Sequence, residues 1–109
     1  TKELLCLVYL TVGSIKEVKQ IGRILVKQNL VACVNILKNM TSIYKLKDDL
    51  EEDGEVVMTA KTRKTHMPQL IKTVTEHHSY ECPCILELPI EGGNPEFLRW
   101  IETETDLTE

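Results

Sequence analysis

The chain has 109 residues, of which 42% are apolar and 28% charged, a balance that fits one globular domain spanning 1–109 and excludes a disordered segment. At this length folding buries roughly 65% of the unfolded chain's surface, enough for one ordinary core. With 13 basic and 17 acidic residues the net charge is −4, and the cations are scattered, so nucleic acid is not an expected partner; the longest apolar run, Leu4 to Leu10, falls far short of the ~20 residues of a membrane span, so no membrane partner is expected either.

Leu4 to Val12 is continuously apolar and β-prone, the pattern of a strand covered on both faces. The stretch that follows, Thr11-Val12-Gly13-Ser14, runs into a charged helical pattern rather than a cleavage site, so no export signal is read; a removed segment upstream of Thr1 stays open. A cytoplasmic location and reduced cysteines at Cys6, Cys33, Cys82 and Cys84 follow as expectations. Ser14 with Glu17 three residues on forms a capping box, and Ile15, Val18, Ile21, Gly22, Leu25 and Val26 carry helical spacing to about Gln28. Asn29, tolerant of left-handed geometry, is the predicted stop.

From Val31 the pattern is Val, Ile and Thr through Tyr44, with polar Lys38-Asn39 marking a bend or bulge. Lys45 to Asp53 reads as a charge-rich tip, and Glu55 to Thr62 resumes a strand, so Val31 to Thr62 is predicted as one long β-hairpin. Its far end overreaches what two helices of so small a domain can cover, and an uncovered ribbon invites self-association. Thr65 is the predicted N-cap of a second helix with Pro68 in its first turn and Met67, Leu70, Ile71, Val74 and His78 on one face, ending near Ser79. Ile85 to Ile90 is the last strand, with Pro89 suited to an edge. Asn94 caps a short third helix with Pro95 at its first position, and the tail after Glu102 is expected to fray. The order βαββαβ plus a C-terminal helix is that of an α+β, ferredoxin-like fold, an antiparallel sheet with helices on one face.

His77-His78 followed by Tyr80, Glu81 and Cys82 is the densest group of metal-ligand types. Imidazole and thiolate suit copper or zinc, with Cys82 or Cys84 able to add sulfur. The competing reading packs His78 in the core and uses His77 to cap helix carbonyls, and the spacing Cys-x-Cys or His-His does not match a structural zinc site. A cysteine nucleophile at Cys33 or Cys82 would need a histidine beside it and a third group to orient that base; no such constellation is recognisable, and the expectation is that the chain is not an enzyme. Glu51-Glu52-Asp53 reads as a solvated tip more readily than a cation site, and Lys61-Thr62-Arg63-Lys64 as either an anion site or a polar loop.

Ala32-Cys33-Val34-Asn35, Ser42-Ile43-Tyr44, Glu51-Glu52-Asp53 leading to Glu55-Val56 and Lys61-Thr62, then His78-x-Tyr80-Glu81-x-Pro83 and Gly93-Asn94-x-x-Phe97-Leu98-x-Trp100 together resemble CutA, the divalent-cation tolerance family, in order along nearly the whole chain. The resemblance implies a ferredoxin-like homotrimer in which long hairpins extend sheets between subunits, related in shape to the PII signal proteins. It implies divalent or soft metal binding through His77 and His78, with copper(II) or zinc(II) weakly held and Cys33, Cys82 and Cys84 as lesser ligands. The alternative it allows is a signalling or scaffold trimer taking a small ligand at Tyr80 and Lys61, or a protein partner. Two departures stand out. Lys45, Leu46 and Asp48 replace the family's Trp-Trp-x-Gly run, and Leu10 occupies the position of a strand-one cysteine credited with copper binding in some members.

Overall fold

The apolar run near the N-terminus becomes β1, Leu5–Val12, in the computed structural model of the chain, which describes residues 3–107. Side chains alternate across a strand, so Cys6, Val8, Leu10 and Val12 enter the main core while Leu7 and Tyr9 face the other way. Helix α1, Ile15–Lys27, starts where the Ser14 hydroxyl accepts the Glu17 N–H at 3.2 Å. The Glu17 carboxylate does not return to Ser14; it accepts the Ser79 N–H at 2.7 Å, so the expected capping box is half formed and its acid serves a tertiary contact instead. At the other end Asn29 takes φ 58°, with Leu30 N–H bonded to Leu25 O and Asn29 N–H to Val26 O, the Schellman arrangement that consumes orphan carbonyls.

Strands β2, Cys33–Leu46, and β3, Asp49–Arg63, form the long hairpin. The bulge falls between Leu37 and Met40 with Asn39 at φ 61°, as the polar Lys38-Asn39 pair predicts. The tip differs from expectation. Lys45 to Asp53 is not a loop: pairing continues through Tyr44↔Glu51 and Lys45↔Leu50 to Leu46↔Asp49. Only Lys47 and Asp48 turn, at φ 51° and 73°, and two consecutive left-handed residues make the tight reversal that matches strand twist.

The helix-two start is also corrected. Lys64–His66 form a 3-10 turn, α2 is Met67–His77, and no side chain caps it; Thr65 lies inside that turn and cannot act as its cap. After β4, Ile85–Pro89, Asn94 accepts the Glu96 N–H at 3.0 Å and opens α3, Pro95–Glu104. The expected fraying after Glu102, which for residues 108 and 109 lies outside the described residues, does not hold at Thr105, where the chain is tied. Thr105 is fully buried, its hydroxyl donates to Ile101 O at 2.6 Å and accepts from Arg63 Nε at 3.0 Å, and its carbonyl meets His66 Nε2 at 2.6 Å.

The antiparallel sheet has the order β2-β3-β1-β4, and helices α1 and α2 cover the face carrying Cys6, Val8, Leu10, Val56, Met58 and Ala60. Helix α3 stands apart from that layer, packing Ile101 on Leu5 and Ala32, with Ile90 and Leu98 beside them. Much of the opposite sheet face therefore lies bare, with Leu37, Leu86 and Leu88 at 57%, 54% and 43% exposure. The hairpin draws the molecule out to 48 × 25 × 22 Å. No helix among the described residues is long and apolar enough to cross a membrane.

Replacing Thr105 by valine keeps the volume but deletes a buried hydroxyl that serves both α3 and Arg63. A loss of about 1–3 kcal/mol is expected, read by urea denaturation at fixed protein concentration; an unchanged midpoint would mean the C-terminal tie carries no stability.

Candidate functional site

The polar side chains converge at one corner, where the β1–α1 loop, the end of α2 and the base of the hairpin's outer half meet. His78 follows α2 and is buried. Its Nε2 lies 2.9 Å from Thr11 O and its Nδ1 3.0 Å from the Tyr80 N–H. A carbonyl only accepts and an N–H only donates, so the ring is the neutral tautomer with hydrogen on Nε2. Glu17 Oε2 sits 3.6 Å from Nδ1. The Tyr80 ring lies against His78 with centroids 4.7 Å apart.

Tyr80 then reaches across to the hairpin. Its hydroxyl donates to Glu55 Oε2 at 2.9 Å, and Ser42 donates to Glu55 Oε1 at 2.6 Å, so one carboxylate joins β2, β3 and the α2–β4 loop. Gly13 makes room for the phenol: a Cβ there would stand 3.2 Å from the Tyr80 oxygen. Partial burial first, then the bond to Glu55, push the Tyr80 phenol up to about 12. Further out on the ribbon Tyr44 donates to Asp53, and that bond is the leading reason its phenol also rises to about 12. Between the Gly13–Ile15 turn, the Lys38–Met40 bulge and Gly54–Val56 lies a shallow cleft of about 250 Å³ with Glu55 on its wall.

The expected site residues are divided by this arrangement. His77 projects its Nδ1 to Thr73 O at 2.9 Å within its own helix, which leaves Nε2 as a free imidazole lone pair, whereas both nitrogens of His78 are already engaged. As arranged, the pair offers one imidazole donor, so the donor set does not fit an ion held by both rings. Among the described residues no three His, Cys, Asp or Glu side chains gather as a metal cluster. Cys82 is exposed and Cys84 half-buried in the loop before β4, while Cys33 lies on β2 opposite Lys61. Lys61 donates to Asn35 Oδ1 and stands 3.6 Å from Cys33 Sγ. It is six residues along β3 from Glu55, about 20 Å at strand rise, so Lys61 and Tyr80 do not share one site.

The basic run after Lys61 has other work. Arg63 binds Glu3 at 3.0 Å and the Glu102 carbonyl, and Lys64 binds Glu87 at 2.7 Å. The ring nitrogens of the three histidines meet backbone groups and, for His78, the Glu17 carboxylate. Glu55, Ser42 and the tertiary role of Glu17 were not anticipated: Tyr80 and Glu55 are 25 positions apart, and no local spacing announces their contact.

Over residues 6–104 the chain matches the family model described as CutA1 divalent ion tolerance protein. Protein CutA of Mus musculus is 40% identical over 98 residues, 90% of this chain and 55% of that protein, so the chain spans about half the length of that relative. The divalent-cation tolerance protein CutA of Thermus thermophilus is 39% identical over 98 residues, 90% of this chain and 95% of that protein. Among solved structures, CutA1 of Oryza sativa superposes with a TM-score of 0.94 at 30% identity, covering 97% of each chain. That of the Thermus thermophilus protein gives 0.91 at 37% identity, covering 94% of this chain and 99% of the other.

Because the Tyr80 phenol titrates higher in the fold than its ordinary value of 10, the neutral form is favoured there. The stability this contributes is present below about pH 10 and is lost as pH rises toward about 12. Tyr80→Phe is expected to lower stability near pH 8 by less than about 1 kcal/mol, the bond being partly solvated, and to flatten the alkaline loss between pH 10 and 12. A variant whose pH 10–12 slope equals the wild type's would contradict the Tyr80–Glu55 bond.

Proposed function

The chain belongs to the CutA1 divalent ion tolerance family, and from that premise we propose that it is a homotrimeric metal-ion-binding protein rather than an enzyme. The observation that carries the assembly is the bare sheet face. Leu37, Leu86 and Leu88 lie exposed on the sheet face turned away from α1 and α2, and exposed large apolar side chains on the bare face of a small domain mark an association site. The sheet also ends in two unpaired edges, β2 and β4, and a head-to-tail contact between unlike edges closes into a ring, as a cyclic trimer requires. The outer half of the hairpin, paired only within itself, reaches far enough beyond its own sheet to meet a neighbour.

Within this reading the ion is held weakly. His77 Nε2 is the imidazole each chain presents, His78 being committed to Thr11 and Tyr80, and copper(II) or zinc(II) are the ions that suit such a nitrogen donor. The same corner supports a second reading, a PII-shaped signalling module whose cleft beside Glu55 takes a small ligand near Tyr80. There the recognising groups would lie along the cleft between the Gly13–Ile15 turn and the Lys38–Met40 bulge, and Lys61, on the far part of the sheet, would serve the assembly instead.

Two measurements test the proposal. Leu86→Glu with Leu88→Lys alters side chains that are exposed in the single chain, so the fold is expected to survive while light scattering reports a fall from trimer to monomer; a wild type that is monomeric, or a variant that remains trimeric, overturns the assembly. Calorimetric titration with Cu²⁺ and with Zn²⁺ is expected to show weak binding that His77→Ala reduces at least tenfold and His78→Ala leaves in place with a less stable fold. Equal heats in all three proteins would remove His77 as the ligand.

A further inference from the structure

Helix α1 carries a row of cations on one ridge. Lys19, Arg23 and Lys27 recur at every fourth residue and are all exposed, so they share one side of the helix and span about 12 Å along its axis. Among the described residues none of the three has a carboxylate partner, although the chain as a whole is acidic, at −4. Glu17, the one acid of α1, is turned away to the Ser79 N–H.

Beside that ridge a groove of about 390 Å³ runs between α1 and β2, a volume at the small end of ligand sites. Its floor is apolar, formed by Gly22, Val26, Val34 and Ile36. Gly22 lets helix and strand approach, since a Cβ there would stand 3.1 Å from Val34 Cγ2 and 3.4 Å from Met58 Sδ. Val34 pairs with Ala60 and Ile36 with Met58, so both face the helix layer, whereas Leu37 faces the bare side of the sheet. The groove is therefore separate from the apolar face offered to a neighbouring subunit. Among the described residues no carboxylate, hydroxyl or amide side chain lines it.

These features set the chemistry of an occupant. A floor without side-chain hydrogen-bond partners suits a hydrocarbon body and disfavours a sugar or a base, whose polar groups would be left unpaired on burial. The unneutralised ridge calls for an anionic head. A single concave strip holds one such body, and the net charge of −4 opposes the approach of an anionic membrane or an acidic peptide. We propose that the α1–β2 groove binds a free alkyl carboxylate, with its chain on the apolar floor and its head on the Lys19–Arg23–Lys27 ridge, where a guanidinium can take both oxygens. This site neither uses His77 nor depends on metal binding.

The test titrates decanoate, below its micelle-forming concentration, into the full methyl-labelled chain and follows the methyl NMR spectrum. Saturable shifts are expected at Val26, Val34 and Ile36, and none at Leu37, Leu86 or Leu88. Affinity is expected to fall by up to about fourfold for each methylene removed from the ligand and to fall further with added salt. Arg23→Glu is expected to weaken binding about tenfold or more, and Val26→Glu to do the same by setting a carboxylate on the floor. Both positions are exposed, so each variant is expected to melt near the wild type by circular dichroism, while Arg23→Lys retains binding. Shifts centred on Leu86 and Leu88, equal shifts with decyltrimethylammonium, or affinities unchanged in both glutamate variants overturn the site. So does a groove that ignores decanoate, whether it takes phosphatidylglycerol vesicles, an alternating Leu-Glu peptide or a neighbouring subunit instead. His77→Ala is expected to leave decanoate binding unchanged, which separates failure here from failure of the metal reading.

Discussion

Everything in this molecule depends on β3 being asked to do two things along one strand. Its inner part pairs with β1 on one side through Val56 to Arg63 and with β2 on the other through Val57 to Lys61, and there Val56, Met58, Ala60 and Thr62 are buried. Its outer part, Asp49 to Glu55, pairs with β2 alone. A two-stranded ribbon in water is marginal by itself, so the outer half borrows its order from the inner half. The Lys47-Asp48 turn closes it at one end, and the Ser42–Glu55 and Tyr44–Asp53 bonds cross it between.

That arrangement explains why the polar corner sits where it does. The ribbon leaves the sheet beside the bulge at Leu37/Met40, the point at which β1 ends and α1 begins. Glu55 stands there, and Tyr80 from the far end of the chain order closes the gap. His78 acts as the hinge pin of the corner rather than as an open donor: by accepting from Tyr80 and donating to Thr11 it joins the α2 exit to β1, and its neutrality is set by those two bonds. Adjacent residues thus face opposite ways, with His77 outward and His78 inward.

The apolar and polar patterns were legible wherever one face of an element meets the core. The β1 run, the α1 stripe, the Asn29 stop, the Lys38-Asn39 bulge and the Asn94 cap all rest on local chemistry: side-chain alternation, helical spacing, tolerance of left-handed backbone. The failures have a common cause in contacts made far along the chain. Lys45 to Asp53 read as a charge-rich hairpin tip, and its charges did not show how far the strands run into it, because cross-strand pairing carries backbone order regardless of side-chain polarity. Thr65 looked like a cap, but the chain turns through Lys64–His66 before the α-helix begins. The end of the chain looked loose, but Thr105 finds Arg63 and His66 about 40 positions away.

By itself, then, the sequence determined the order of elements, the faces they bury and the existence of a hairpin longer than its own domain, because those follow from periodicity and from residues that act on their neighbours. Only the tertiary structure decided how His77 and His78 divide their roles, that Glu55 rather than Lys61 partners Tyr80, and that Glu17 serves the α2–β4 loop instead of its own helix. Each of those is a hydrogen bond between atoms brought together by the sheet order β2-β3-β1-β4. Adjacent histidines are alike in a sequence; which of them keeps a free lone pair depends on which faces a carbonyl of another strand.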